Sequence, residues 1–216
     1  LTTKGIIFDL DGTLVDTLDD LTDSMNYALK TLGFPPQPPQ ECRKMIGNGL
    51  TKFAERAIGV ENSGQRDRLL EVMTGHYRGN CLNKTRVYEG LGEVIKVLQG
   101  RGLRLSMLTN KNQEPAEVIV RHFFGANTFN PIIGYAAGRA VKPEPGGVLE
   151  ILKAWGVGTE EVVLVGDSEV DAATAVRAKV RFWGCQWGFR SREQLVAAGA
   201  KVLIEKPGEI LEYLDS

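Results

Sequence analysis

Histidine is nearly absent from this chain: only His76 and His122 occur among 216 residues, so few histidine-based mechanisms are open to it. Cysteine is scarce too. Cys42, Cys81 and Cys185 make an odd number, at spacings that suit neither a metal knuckle nor a disulfide framework. That usage points to a reducing compartment, and a cytoplasmic location is the expectation. No window approaches the ~18 uninterrupted apolar residues of a spanning helix, so no membrane association is expected. The opening LTTKGIIFDLDGT has one lysine and an apolar run broken at once by carboxylates, unlike a signal peptide. Because the chain begins at Leu1 rather than at methionine, a trimmed natural terminus is expected. Neither sign of charge is in surplus, with 26 Lys+Arg against 27 Asp+Glu. That balance argues against a nucleic-acid partner. The phosphate-cradling G-x-x-x-x-G-K-[ST] is missing, and Gly100-Arg101-Gly102 precedes a strand instead of following one. Internal repeats and low-complexity tails are missing as well.

What is present is the composition of a soluble globular protein able to bury a sizeable core: 43% hydrophobic and 25% charged residues. At ~150 residues per domain the length suits one domain with a large insertion. Glycine, 25 of 216, is unusually common and suits many tight turns between short elements. Short β-branched runs at Lys4–Leu10, Leu103–Thr109, Pro131–Tyr135, Val162–Gly166, Val180–Trp183 and Val202–Ile204 read as strands. They alternate with helical spacings, such as Leu91, Val94, Ile95 and Leu98, or Val148, Leu149, Ile151 and Leu152 followed by Trp155. The fold class this predicts is α/β: an open, Rossmann-like parallel sheet with helices on both faces. One region breaks the alternation. From Thr17 to Leu82 there are helical patterns and no convincing strand: one helix carries Leu18, Leu21, Met25, Ala28, Leu29 and Leu32, and others cover Glu41–Ile46, Leu50–Ile58 and Gln65–Leu82. The expected organisation is a core of residues 1–16 and 83–216, interrupted by a helical cap of residues 17–82 that selects substrate and excludes water.

The chemistry-bearing segment is Asp9-Leu10-Asp11-Gly12-Thr13, two carboxylates two residues apart where a strand ends, with a glycine to turn the chain. Taken alone it could be a polar turn. Asp167 again follows an apolar strand and a glycine, with Asp171 one helical turn further on. Thr109-Asn110 ends a third strand, and Lys142-Pro143 follows a fourth, the proline suited to opening a helix. Each has an ordinary structural reading as a cap or a surface charge. Together they fall at the carboxyl ends of parallel strands, where open α/β sheets place their ligands.

In order and spacing these four motifs resemble those of the haloacid dehalogenase-like phosphohydrolases, over essentially the whole chain. The helical insertion after the first motif is similar to the subgroup with an α-helical cap. FDLDGTLVDT and IGNGL (Ile46–Leu50) look most like phosphoglycolate phosphatases. The resemblance implies a Mg²⁺-dependent phosphoric monoester hydrolase acting on a small phosphorylated metabolite, with 2-phosphoglycolate as best candidate. Asp9 is expected as nucleophile and Mg²⁺ ligand, forming an aspartyl-phosphate. Asp11 is expected as acid and base, and its backbone carbonyl as a metal ligand. Asp167 is the third expected metal ligand and Asp171 a supporting carboxylate. Lys142 offsets charge on Asp9 and the phosphoryl oxygens, while Thr109 and the Asn110 backbone donate to those oxygens. In the cap, Gly47, Asn48 and Gly49 are expected to approach the substrate, and Arg43 or Lys44 could meet a carboxylate, although a solvated face is the blander reading. Asp11 favours ester hydrolysis over dehalogenation or phosphonate cleavage, whose enzymes lack the second carboxylate. A sugar phosphomutase shares both carboxylates and a similar cap, and remains open at this point, as do a phosphatase for another small metabolite and, more distantly, a non-enzymatic phospho-receiver. Oligomeric state, monomer or homodimer, is not legible. Trp155, Trp183 and Trp187 read as packing residues, and the cysteines have no assigned role.

Overall fold

The computed structural model describes residues 2–215; Leu1, where the trimmed terminus is expected, and Ser216, at the end of the expected core, lie outside them. Six short strands form one sheet: β1 (Gly5–Phe8), β4 (Arg104–Asn112), β5 (Ile132–Tyr135), β6 (Val162–Gly166), β7 (Arg181–Cys185) and β8 (Val202–Ile204). The spatial order is β5-β4-β1-β6-β7-β8, and every pairing is parallel. The chain builds outward from β1 on one side through β4 and β5, and then on the other through β6, β7 and β8. The order therefore reverses at β1, and the crevice at such a switch point is where these sheets hold ligands.

Period-2 alternation explains how the strands bury both faces. Ile7 joins Leu108, Ile133 and Leu164 in a core completed by α7 (Gly146–Trp155) and α8 (Glu169–Ala178), through Val148, Ile151, Leu152, Ala175 and Ala178. Ile6 and Phe8 point the other way and are equally buried, so the sheet is covered on both sides. Leu149 corrects the expected helical face, for it is exposed while Val148, Ile151 and Leu152 are buried. Trp155 packs in this core and donates its indole N–H to the Asn130 carbonyl at 2.9 Å. Two further expectations are corrected, and one pairing is new. β4 does not stop at Thr109 but runs to Asn112 and passes directly into α6 (Gln113–Phe124), a helix the sequence pattern had not separated. Pro143 opens no helix, since α7 starts at Gly146. Two-residue strands β2 (Val15–Asp16) and β3 (Arg86–Val87), too short to show a period, pair as a ribbon.

The chain divides into two compact units, Leu1–Val15 with Val87–Ser216, and Asp16–Arg86, so the divisions fall inside β2 and β3. The second unit is helical: α1 (Leu18–Thr31), α2 (Pro39–Met45), α3 (Leu50–Ile58) and α4 (Arg66–Asn80), with a 3₁₀ turn before α4. Leu21, Met25, Ala28 and Leu29 of α1, and Leu69, Met73 and Tyr77 of α4, are buried at the three- and four-residue spacing of amphipathic helices. The buried Asp20 carboxylate accepts from the Lys84 N–H and from the N–H and hydroxyl of Thr85, at 2.8–3.0 Å. That carboxylate ties the start of the helical unit to its end. Among the described residues no helix is long and apolar enough to cross a membrane.

Candidate active site

The site is assembled from the carboxyl ends of neighbouring strands. Asp9 directly follows β1, and its N–H donates to the Val165 carbonyl of β6 at 2.9 Å, so its backbone is held by the sheet. The chain then turns through Gly12, whose φ of +84° is a left-handed conformation natural to glycine. A Cβ there would collide with the Asp167 carboxylate, so glycine also allows the β1 turn to approach the β6 end. Asp167 follows β6 and is buried; it accepts from the Phe189 N–H at 2.7 Å and from the Thr13 hydroxyl at 3.4 Å. Asp171 sits in the first turn of α8. Its carboxylate accepts from the Ser168 hydroxyl at 2.6 Å, and the Asp171 N–H donates back to that oxygen in a capping box. The cap reading of Asp171 is therefore correct, and its other oxygen faces the site.

Lys142 is the link. Its side chain is 2% exposed, and its ammonium lies 2.6 Å from Asp171 Oδ1 and 2.8 Å from Asp9 Oδ1, the latter an ion pair not aligned as a hydrogen bond. Asn110 fixes that lysine: its amide donates to the Lys142 carbonyl at 2.9 Å and its Oδ1 accepts the Lys142 N–H at 2.8 Å. Thr109, the residue before Asn110 in β4, is buried as well. Asp11 turns elsewhere. Its two carboxylate oxygens lie 2.7 and 3.0 Å from the Lys111 ammonium, and Lys111 is as buried as Lys142. Lys111 escaped the sequence reading because a lysine beyond a strand end ordinarily reaches solvent; its adjacency to Thr109-Asn110 was the available signal.

Electrostatics follow from this crowding. Asp9, Asp167 and Asp171 are buried with carboxylate oxygens within 4.8 Å of one another. Burial pushes Asp9 up to about 7, with Asp171 and Asp11 adding to the rise and Lys142 opposing it. Asp167 is raised well above the carboxylate range, first by burial and then by Asp171 and Asp9. Burial opposes charge on Lys142 too, but the Asp171 and Asp9 carboxylates outweigh it and hold the ammonium above its ordinary value. Four carboxylates (Asp9, Asp11, Asp167, Asp171) against two ammonium groups leave two formal negative charges. Arg190 opposes the rise on Asp167, and its own charge is matched by Glu169 at 2.9 Å. An all-oxygen donor set with a surplus of two negative charges fits a hard divalent cation.

Gly47, Asn48 and Gly49 lie in the helical unit, between α2 and α3. Gly49 caps α3 with φ +83°, and the Asn48 carbonyl oxygen of its side chain accepts from Arg56 at 2.8 Å. Lys44 pairs with Glu41 on the surface, which suits the solvated reading. Cys185 is buried beside Thr13, and burial and Asp167 push its thiol well up, so it stays protonated. Trp187 donates to the Thr13 carbonyl at 3.0 Å, a packing role.

Comparison with known proteins gives the class. The family model of haloacid dehalogenase-like hydrolases matches residues 6–185, and the chain belongs to that family. It is 31% identical to the phosphoglycolate phosphatase of Rhodospirillum rubrum, over 98% of this chain and 90% of the relative. It is 34% identical to that of Cereibacter sphaeroides, over 86% of each. A solved structure from Lactobacillus delbrueckii subsp. bulgaricus, of a protein assigned as a phosphoglycolate phosphatase, superposes with a TM-score of 0.92 at 28% identity, covering 99% of both chains.

Proposed function

We propose that this protein is a Mg²⁺-dependent phosphatase that hydrolyses 2-phosphoglycolate through an aspartyl-phosphate on Asp9. One observation carries the reading: on a single turn, Asp9 and Asp11 are each held by a separate buried ammonium, so the two carboxylates can take separate roles. The names of these relatives, matched over 86–90% of their length, support the substrate.

Asp9 would attack phosphorus, forming the Asp9–phosphorus bond as the bond to the ester oxygen breaks. Asp11 gives its proton to the departing alkoxide, then takes one from the water whose oxygen displaces Asp9. Lys142, the Thr109 hydroxyl and the Asn110 backbone N–H bind the phosphoryl oxygens and offset the charge that builds on them. Asp9 and Asp167, with the Asp11 carbonyl, would hold Mg²⁺, and Asp171 supports them by keeping Lys142 in place. When bound, the cation supplies positive charge to the phosphoryl group and keeps the carboxylates ionised. The helical unit acts as a cap that excludes water, with Gly47–Gly49 as its substrate-facing segment. Cys42, Cys81 and Cys185 are buried and none is in a disulfide, which suits a reducing cytoplasm.

The test is phosphate release from 2-phosphoglycolate, hexose phosphates and nucleoside monophosphates, with Mg²⁺, with Ca²⁺ and with excess chelator. The expected result is 2-phosphoglycolate turnover that chelation abolishes and Ca²⁺ restores poorly, because its larger, looser shell misplaces the nucleophile. Full activity in chelator would sink the metal reading. Preference for a hexose phosphate would favour the mutase alternative.

A further inference from the structure

We infer that Lys111 forms a carboxylate subsite, selecting phosphomonoesters whose leaving group carries a carboxylate next to the ester oxygen. The inference rests on the phosphatase reading above, in which Asp11 serves the leaving-group oxygen.

The site contains two buried ammonium groups with different partners. Lys142 stands between Asp9 and Asp171, on the nucleophile's side. Lys111 is held on both oxygens of Asp11. Their separation is built into the end of β4, where neighbouring side chains diverge: Asn110 turns to the Lys142 backbone and Lys111 turns to Asp11. Burying an ammonium is costly, and a lysine stem is long enough to carry its head to water. With its side chain 2% exposed, Lys111 keeps its charge inside, beside the residue that handles the leaving group.

In 2-phosphoglycolate the carboxyl carbon is two bonds from the ester oxygen. When Asp11 reaches that oxygen, the substrate's carboxylate lies beside the Asp11 carboxyl, and Lys111 is the ammonium held there. An ammonium has three donors and no acceptor, so it can serve carboxylates on two sides. Without it the substrate's carboxylate would be desolvated beside the protonated Asp11 carboxyl with no cation to meet it, which disfavours binding. A neutral ester of the same size gains nothing from Lys111. The residue would therefore separate acidic from neutral leaving groups, as a polar contact built into a site does.

The experiment measures kcat/KM on Mg²⁺-loaded wild type, Lys111→Met and Lys111→Gln with matched ester pairs: 2-phosphoglycolate against ethyl phosphate, and 2-phospholactate against isopropyl phosphate. Wild type should prefer the carboxylated member of each pair. Both variants should shrink that preference by roughly 10- to 100-fold, the worth of one charge-assisted hydrogen bond, chiefly through KM for the carboxylated ester. Lys111→Gln keeps a donor for Asp11 and gives the same reading if Lys111→Met fails to fold. An equal loss on both members, with the preference intact, would overturn the subsite and leave Lys111 as a positioning residue for Asp11. Wild type that hydrolyses both members without preference overturns the subsite but leaves the phosphatase standing. Wild type that releases phosphate from none of the four overturns both.

Discussion

Lys142 is held from three directions, by Asp9, Asp171 and the side chain of Asn110, and the last of these touches only its backbone. That makes Asn110 a means of moving the ammonium without removing it. Asn110→Ala should destabilise the protein by about 1–3 kcal/mol, because a buried N–H and carbonyl lose their partners. Its kcat for 2-phosphoglycolate should fall roughly 10- to 100-fold as Lys142 drifts from the phosphoryl position. Thermal unfolding and steady-state kinetics on the Mg²⁺-loaded protein check this; the same stability loss with unchanged kcat would make Asn110 purely structural. At this scale the site was legible where a polar residue ends an apolar run, which is how Asp9, Asp11, Thr109, Asn110, Lys142, Asp167 and Asp171 stood out. Lys111 was not legible, because a lysine just past an apolar run ordinarily reaches solvent, and its place next to Thr109-Asn110 was the one sign that its charge stays indoors. Leu149 misled for the complementary reason: in VLEIL an apolar residue is placed by helical phase, and its phase faces solvent.

Elements were legible in proportion to the length of their period. β6 and β8 match the apolar runs Val162–Gly166 and Val202–Ile204, and α3 matches Leu50–Ile58. The end of β4 was hidden because its last residues, TNKN, are polar yet mostly buried, Asn110 bonding the Lys142 backbone and Lys111 the Asp11 carboxylate. α6 was lost with it, since its N-cap Asn112 is also the last residue of the strand. A proline signal failed after β5, where Pro143 sits in the turn ahead of α7 and does not begin the helix. Functional demands, which keep polar groups inside, account for most of these departures.

For the whole molecule the acidic cluster has a consequence for stability. In the metal-free protein Asp9 titrates at about 7, against 3.8 for the free side chain, so the folded state holds more protons between those values. Stability then falls as pH rises through that window, the reverse of an ordinary salt-bridged carboxylate. Asp167 acts in the same direction. Lys142, raised from its ordinary value, is charged in both states throughout and contributes no slope there. Melting in chelator should therefore drop between about pH 4 and about pH 7. Mg²⁺ at a hundred times its Kd should add about 2.7 kcal/mol at pH 7.5. The gain should be smaller at pH 5, where protons compete for the same oxygens. A Mg²⁺ shift independent of pH would show that the cation does not bind these carboxylates.

The roles proposed for these residues meet at a phosphoryl group carried by Asp9, and Asp11→Asn is the variant that should make it visible. The change keeps the nucleophile and the backbone carbonyl but removes the acid and the base, each typically worth ~10²–10⁴ in rate. An activated aryl phosphate needs no acid for its leaving group, so transfer to Asp9 should proceed while hydrolysis of the acyl phosphate stalls. Rapid-quench kinetics with intact-mass measurement on Asp11→Asn should show a burst of aryl alcohol and a protein heavier by one phosphoryl group. Asp9→Asn should show neither. If aryl and alkyl phosphates are slowed equally in Asp11→Asn and no adduct forms on Asp9, the roles given to these two aspartates are wrong.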